Sequence, residues 1–476
     1  MSNSQSEKKN FQKILNVCKS IDNIKSFSDK FKTNFKVYRR DNSHTAINYL
    51  KGLFCCTKGE ANMERMEEEV SNSEYRAYQH FISNSSWDWQ GLQKQVAQET
   101  SLLLTKQKQE NNLPIGYIID ESAHLKKGNK SVGASRQYAG VIGKVDNCQV
   151  GVYASLINNK SSTIINERIF LPKTWTEDVD RCQEAKIPVE YRAYKTKPAL
   201  ALDMIKQDIE RGVVFDWIGG DGLYGHSTEL CDELEKLDCF YVMDVHKDQK
   251  VFLKEPGIAI PSAKPGKGRK PTKLQPNLES VRIDEFASSI ADENWKLEKI
   301  RDTVKGVLSL RVYKENVWVW DGESKKAKRK VLIITKTINA KPKVKYSISN
   351  GDLNEYTFKE YAYFIAQRYW VERSFDNAKN ELGMSDYQIR KWQSWHTHHA
   401  IVMMASLYVT TQLIEYQQEI PLLSFRDVRI MLVTNICSTQ IKMETEIKAR
   451  QMQKRHKKRQ TDIDFTYRKQ KEKLKS

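Results

Sequence analysis

No stretch of about 18 apolar residues occurs anywhere in the 476-residue chain, so a membrane-spanning helix is not expected. The first twenty residues, "MSNSQSEKKNFQKILNVCKS", lack the long apolar core of a secretion signal, and a cytoplasmic location, at the nucleoid in a bacterium, is expected. Cysteine is sparse: eight residues, of which only Cys55 and Cys56 are adjacent, with no C-x-x-C pair. That spacing excludes a zinc-finger framework and a disulfide scaffold, and reads as buried thiols in a reducing compartment. No internal repeat is evident.

What the chain has in excess is positive charge. Lys plus Arg number 78 against 60 Asp plus Glu, a formal net charge of +18, which favours a polyanionic partner. The last thirty residues hold twelve Lys or Arg and three acids, so half of the net charge lies there. Such a tail suits a phosphate clamp and equally a solvated end.

Residues 1–110 read as helical, with the amphipathic run "ANMERMEEEVSNSEYRAYQHFI" and then "SSWDWQGLQKQVAQETSLLLTKQ". Ser86 is the expected cap of the latter. On a basic protein this suggests a helical DNA-binding domain, although a dimerisation module fits nearly as well. From residue 111 to 245 the texture changes. "IGYIIDES", then "QYAGVIGKV" and "CQVGVYASLIN", then "TIINERIFL" are rich in β-branched and aromatic residues. A helix follows in "KPALALDMIKQDIERG", then a strand in "VVFDWIGGDGLYG", a helix in "STELCDELEKL" and a strand in "CFYVMDV". Antiparallel strands followed by helix-linked strands describe an α/β mixed sheet with flanking helices.

Residues 246–345 break the pattern. "PSAKPGKGRKPTKLQPN" is a Pro, Gly and Lys rich loop, and "GVLSLRVYKENVWVWDG" and "KRKVLIITKT" are strand-like, so this block reads as a β-rich insertion. Residues 346–415 resume the domain through "TFKEYAYFIAQRYWVERSFDNAKNELG" and the apolar helix "HHAIVMMASLYVTTQLIEY". Residues 416–476 form a helical, basic C-terminal region.

Three carboxylates stand at conspicuous places: Asp120 at the end of the first strand, Asp221 just after a later one, and Glu372 on the helix beyond the insertion. Open α/β sheets place their chemistry at strand ends. Two magnesium ions held by such carboxylates are an established means of in-line attack on a phosphodiester. In "QRYWVERSFDNAK", Arg368, Glu372 and Lys379 fall within about 40° of one another around a single helix. Taken alone, that face reads first as an exposed i, i+4 ion pair on a solvated helix.

These blocks resemble the DDE-type transposases of bacterial insertion sequences, in the branch with a β-strand insertion between the second Asp and the Glu. The resemblance runs from about residue 48 to about 410. It rests on "IIDESAHLKKGNKSVGASRQYAGVIGKVDNCQVGV", "WIGGDGLYG" and "RYWVERSFDNAKNELGMSDYQIRKWQSWHTHHA", with the helical stretch "YLKGLFCCTKGEANMERMEEEV" as the DNA-binding region. It implies a ribonuclease H-like catalytic core, with Asp120, Asp221 and Glu372 as catalytic, metal-binding residues for two Mg²⁺ ions, or Mn²⁺ as a substitute. The implied reaction is cleavage at transposon ends and strand transfer into target DNA, by a homodimer on paired double-stranded ends. The family signature Y-(2)-R-(3)-E-(6)-K is matched by Arg368, Glu372 and Lys379, with Ile365 where the Tyr would stand. A DNA-binding repressor without catalysis, and a nuclease of the same fold without strand transfer, are the alternatives.

Further candidates for DNA contact are Lys126 and Lys127 in "HLKKGNKS", Tyr224 in "GLYG" as a base-stacking ring, Arg390, and "KPGKGRKP" as a backbone track. For each, a solvated loop or ordinary packing is the competing account. His396, His398 and His399 in "WHTHHA" lack Cys or acidic partners at ligand spacing, so packing or DNA contact is expected there rather than zinc.

Overall fold

The computed structural model describes residues 2–21, 24–56, 58–262, 271–303, 306–339, 341–436 and 442–473. The chain forms two compact units, Met1–Phe215 with Tyr369–Asp462, and Asp216–Arg368 with Ile463–Ser476. Leaving two-residue ladders aside, the first unit carries strands β1 (Gly116–Leu125), β2 (Ser135–Ala139), β3 (Lys144–Asn158) and β4 (Ser161–Ile169). β3 is the common antiparallel partner: β1 lies along one edge, and β2 and β4 pair with its two halves. A strand covered on both faces needs apolar or small residues at successive positions, and in β3 every residue from Cys148 to Asn158 is buried.

Two strand expectations are corrected. "QYAGVIGKV" is not one strand: it turns after Ala139, with Gly143 in the left-handed region at φ +64°, and its end fuses with the next run into β3. Asp120 does not end β1. The strand continues to Leu125 because Ser122, Ala123 and His124 are buried in turn, and Asp120 is its fifth residue, opposite Tyr153.

Helices Ser43–Cys55, Met63–Glu69, Tyr75–Ser83 and Trp89–Asn111 precede the sheet. The cap of the last is Asp88, whose Oδ1 accepts from the Gly91 N–H at 2.8 Å, and not Ser86. Trp87 decides this. Its indole N–H donates to the Phe81 carbonyl at 3.0 Å and its ring stacks on Phe81 at 5.1 Å, which keeps "SSW" outside the helix. The long helix Trp392–Tyr416 is buried almost all round from Trp392 to Thr410, the pattern of a central rather than a surface helix. It packs on β4 and on helices Trp89–Asn111 and Ser43–Cys55. Among the described residues no helix is long and apolar enough to cross a membrane.

The basic C-terminal run forms helix Lys442–Lys473. Part of it is held in place: fully buried Asp427, on helix Phe425–Ile436, has His456 Nε2 at 3.2 Å and Arg459 Nη1 at 3.4 Å from one carboxylate oxygen.

The second unit carries β5 (Trp217–Gly220), β6 (Tyr241–Asp244), β7 (Lys296–Thr303), β8 (Gly306–Val319), β9 (Lys328–Thr337) and β10 (Val344–Ser349). Their order is β7-β8-β9-β10-β6-β5, antiparallel throughout except for the parallel pair β5 and β6. A parallel pair requires a crossover, and helix Thr228–Lys236 supplies it. Its core includes Val245, Val251, Ile283, Val317, Leu332 and Ile348. The helix Phe358–Gln367 starts with a capping box between Thr357 and Glu360. Seven of the eight residues of "KPGKGRKP" lie outside the described residues.

The glycines of "GGDGLYG" mark a close approach within this unit. After β5 the chain turns through the short helix Gly222–Gly225, and a Cβ on Gly225 would lie 2.0 Å from the carbonyl oxygen of Asp244. For one on Gly222 the nearest atoms would be those of the His246 side-chain ring, from 3.0 Å. Gly225→Ala is expected to destabilise the protein by about 2–4 kcal/mol, because backbone must move, and Gly222→Ala by less than half of that. Urea denaturation of the two variants measures the difference.

Candidate functional site

In the first unit Asp120 is half-buried on β1, and its Oδ1 accepts from the Glu121 N–H at 2.8 Å. Glu121, also half-buried, pairs with Lys197 Nζ at 2.8 Å. Glu372 lies in the first turn of helix Tyr369–Glu381, on its exposed face, while Val371, Ser374, Phe375 and Ala378 form the buried face. The helix is tied to the sheet at two points. Lys379 Nζ donates to the Ala123 carbonyl of β1 at 3.2 Å, and the hydroxyls of Ser374 and Ser162 are 2.6 Å apart. Asp120 and Glu372 therefore belong to elements that are bonded to each other, three residues and seven residues respectively from the Ala123–Lys379 contact. Lys379 is not a solvated cation: burial pushes its pKa down to about 8.

Behind β1 runs a chain of buried polar side chains. His124 is hydrogen-bonded to Ser385 Oγ (2.9 Å) and to the Tyr153 hydroxyl (2.7 Å), which in turn meets His399 Nε2 at 3.0 Å. His399 Nδ1 bonds the Trp395 carbonyl at 2.8 Å, His398 Nδ1 the Tyr49 hydroxyl at 2.8 Å, and His396 Nδ1 the Glu167 carboxylate at 2.7 Å. Burial drives the pKa of His398 down to about 3 and those of His124 and His399 well below the ordinary range. His124, His398 and His399 are held neutral, and all three histidines of "WHTHHA" are buried, so of the two roles expected for them it is packing that they take.

The same segment anchors the loop after β1. Lys126 Nζ sits 3.7 Å above the Tyr387 ring and donates to the Tyr387 carbonyl at 3.2 Å. Ser131 Oγ donates to the Ile389 carbonyl at 3.2 Å, and the Val132 N–H to that of Arg390 at 2.9 Å. Burial pushes the pKa of Lys126 down to about 8, whereas Lys127 is exposed. The Arg390 side chain is exposed and lines a hollow with Asn129, Lys130, Trp175 and Arg181. Arg181 stacks over Trp175 at 3.8 Å.

In the second unit Asp221 is half-buried between β5 and the turn it caps, accepting from the Leu223 N–H at 2.9 Å. Tyr224 is fully buried, its ring closed off from solvent. Arg368 does not continue a helix into Glu372: helix Phe358–Gln367 ends before it and Tyr369–Glu381 begins after it. The single charged face expected for "QRYWVERSFDNAK" is thus divided. The guanidinium of Arg368 is paired with Asp244, and Ser347 Oγ donates to the other oxygen of that carboxylate at 2.8 Å. Ile365, at the family's tyrosine position, is buried.

Asp244 and Glu121 were not among the sequence candidates. Each carried a signal: Asp244 ends a strand as "VMD", in the same setting as Asp221, and Glu121 is the immediate neighbour of Asp120. Asp120, Asp221 and Glu372 offer oxygen donors, the type that Mg²⁺ prefers, and none is sealed in a core. Taken one by one, each suits such an ion as a ligand.

Residues 27–307 match the model of the DDE superfamily endonuclease family, a span that includes Asp120 and Asp221 and ends before Glu372. The probable transposase for insertion sequence element IS701 of Microchaete diplosiphon is 24% identical over 311 residues, covering 65% of this chain and 67% of that protein. Among solved structures, a piggyBac transposase synaptic complex with hairpin DNA aligns over 92% of this chain and 84% of that one, at 12% identity and a TM-score of 0.38.

Lys126 and Lys379 make stability depend on pH. Folded, they release their protons near pH 8, whereas an unfolded lysine holds its proton to about 10.5. The unfolded state binds more protons across that window, so the contribution of these groups to stability rises with pH through it. The urea midpoint of a Lys126→Met/Lys379→Met variant is expected to rise less than that of the wild type between about pH 8 and pH 10.

Proposed function

The chain belongs to the DDE superfamily endonuclease family, and from that membership we propose that it is a transposase. It would cut double-stranded DNA at the ends of its element and join those ends to target DNA. The observation that carries the reading is the family match across Asp120 and Asp221, both partly open carboxylates on sheet strands or at their ends. The relative described as a probable insertion-sequence transposase supports it.

In this proposal Asp120, Asp221 and Glu372 together hold two divalent ions, Mg²⁺ with Mn²⁺ as a substitute. When bound, such ions supply the charge that activates water or a 3′-hydroxyl and steadies the leaving oxygen. The chain's own part is to hold and orient. Tyr153 fixes the register of Asp120, Leu223 N–H orients Asp221, and the Lys379 and Ser374 contacts seat the helix of Glu372. Lys127, Arg390, Lys126, Lys379 and Arg368 meet the phosphates, the first two as exposed cations and the others as cations set against protein carbonyls or a carboxylate. Tyr224 is left out, because its ring is buried.

The catalytic core is proposed to be ribonuclease H-like, interrupted at 246–345 by the β-rich insertion. Residues 1–110 and the basic helical C-terminus add DNA contacts, and the protein acts as a homodimer on paired ends.

An in vitro assay with the element's own ends tests this. Wild-type protein with Mg²⁺ is expected to cleave and join, and EDTA to abolish both. Asp221→Asn and Glu372→Gln are expected to lower cleavage at least about 100-fold, the scale of the several kcal/mol that the ions supply, with end binding retained. Activity that persisted in both variants would refute the site. Cutting without joining identifies a nuclease, and binding without either identifies a repressor.

A further inference from the structure

β5 and β6 are parallel, with Gly220 in register with Met243. Asp221 and Asp244 each stand one residue beyond that pair, so two aspartates lie at the C-terminal edge of adjacent parallel strands. Edges of this kind are where open α/β sheets bind their ligands. The two residues are not equivalent. Asp221 caps a turn and is half-open, whereas Asp244 is committed on both oxygens, to Ser347 Oγ at 2.8 Å and to the Arg368 guanidinium. The side chains of Arg368 and Asp244 are only 11% and 14% exposed, so the pair is largely shielded from water. The carbonyl of the same Asp244 is the oxygen that a Cβ on Gly225 would strike. The turn carrying Asp221 therefore rests on the residue that holds Arg368.

We infer that Asp244 is a positioning residue for DNA cleavage: it holds the Arg368 guanidinium beside Asp221, so that a DNA phosphate meets a fixed cation. The inference rests on the transposase reading. A long arginine side chain in solvent samples many rotamers, and ordering it on DNA binding costs affinity that a pre-set pair avoids. The planar guanidinium fork suits this role because it can bridge a carboxylate and a phosphate, which an ammonium on a flexible stem does less well. Asp244 acts through Arg368 and is not assigned to a metal, since both of its oxygens are engaged.

The test uses the full chain and duplex DNA carrying the element's own end. Wild type is compared with Asp244→Asn, Asp244→Glu, Arg368→Gln and the double variant Asp244→Asn/Arg368→Gln. Asp244→Asn and Arg368→Gln are each expected to lower cleavage turnover about 10–100-fold, as loss of an orienting partner does. Each is also expected to reduce the slope of log affinity against log salt by about one phosphate contact. The double variant should be no worse than either single one, since both act on one interaction. Asp244→Glu should recover part of the activity, and the Mg²⁺ concentration for half-maximal rate should not move. A purely structural pair would leave the salt slope at its wild-type value in the folded variants, and that result overturns the inference. Losses that multiply in the double variant overturn it too, as does a raised Mg²⁺ requirement in Asp244→Asn, which would make Asp244 a metal ligand. If Asp244→Asn leaves Arg368 buried without its partner and does not fold, the double variant and Asp244→Glu still decide the question. Wild-type protein that neither binds nor cuts the ends removes the transposase reading itself, and the inference with it.

Discussion

Tyr153 stands at the middle of β3 with its hydroxyl between His124 of β1, at 2.7 Å, and His399 of the long central helix, at 3.0 Å. All three side chains are buried, so none can turn to water for a lost partner, and an unmade hydrogen bond there carries the full cost of desolvation. The arrangement admits only one register between strand and helix. Asp120 is the residue of β1 opposite Tyr153 in the ladder. The position of a half-open carboxylate thus depends on a closed, neutral network directly beside it. Further bonds from the same segment, Tyr387 to Gln149 and Trp395 to Tyr387, both at 2.9 Å, extend the network along the sheet. The histidine-rich block far along the chain is its structural counterpart to the first acidic block.

The second unit reaches rigidity by a different route. A turn of four residues is laid directly on the end of the neighbouring strand, and small residues are the condition for that approach. Gly220 faces Met243 and Tyr224, and Gly225 faces the Asp244 carbonyl. Asp221 is oriented because backbone meets backbone beneath it. Burying Tyr224 is part of the same packing, which is why an aromatic residue so near a candidate site serves the core.

The three carboxylates are nominated by local context, because strand-forming runs end or pause at Asp120 and Asp221, and because the blocks resemble a known family. The helices were legible from periodicity. What escaped was anything set by a partner distant in sequence. Ser86 is a sound cap by its own chemistry, yet Trp87 packs on Phe81 and moves the start of the helix to Asp88. Arg368 and Glu372 look like residues of one helix, yet the helix breaks at Arg368 and Asp244, 124 residues earlier, pairs with the guanidinium. Lys126 looks like a solvated loop residue, but Tyr387 lies beneath it.

By itself the sequence determined the α/β class, the helical beginning and the basic end, because these follow from composition and from the periods of 2 and 3.6, and it nominated three acidic positions from motif order. Only the tertiary structure decided which charges are free to act. Whether a lysine or histidine stays an ordinary cation depends on how much water its neighbours leave it. Burial draws Lys126 and Lys379 down to about 8, and it holds His124, His398 and His399 neutral. Neither outcome is encoded near the residue it concerns; both arise where segments hundreds of residues apart close over one another.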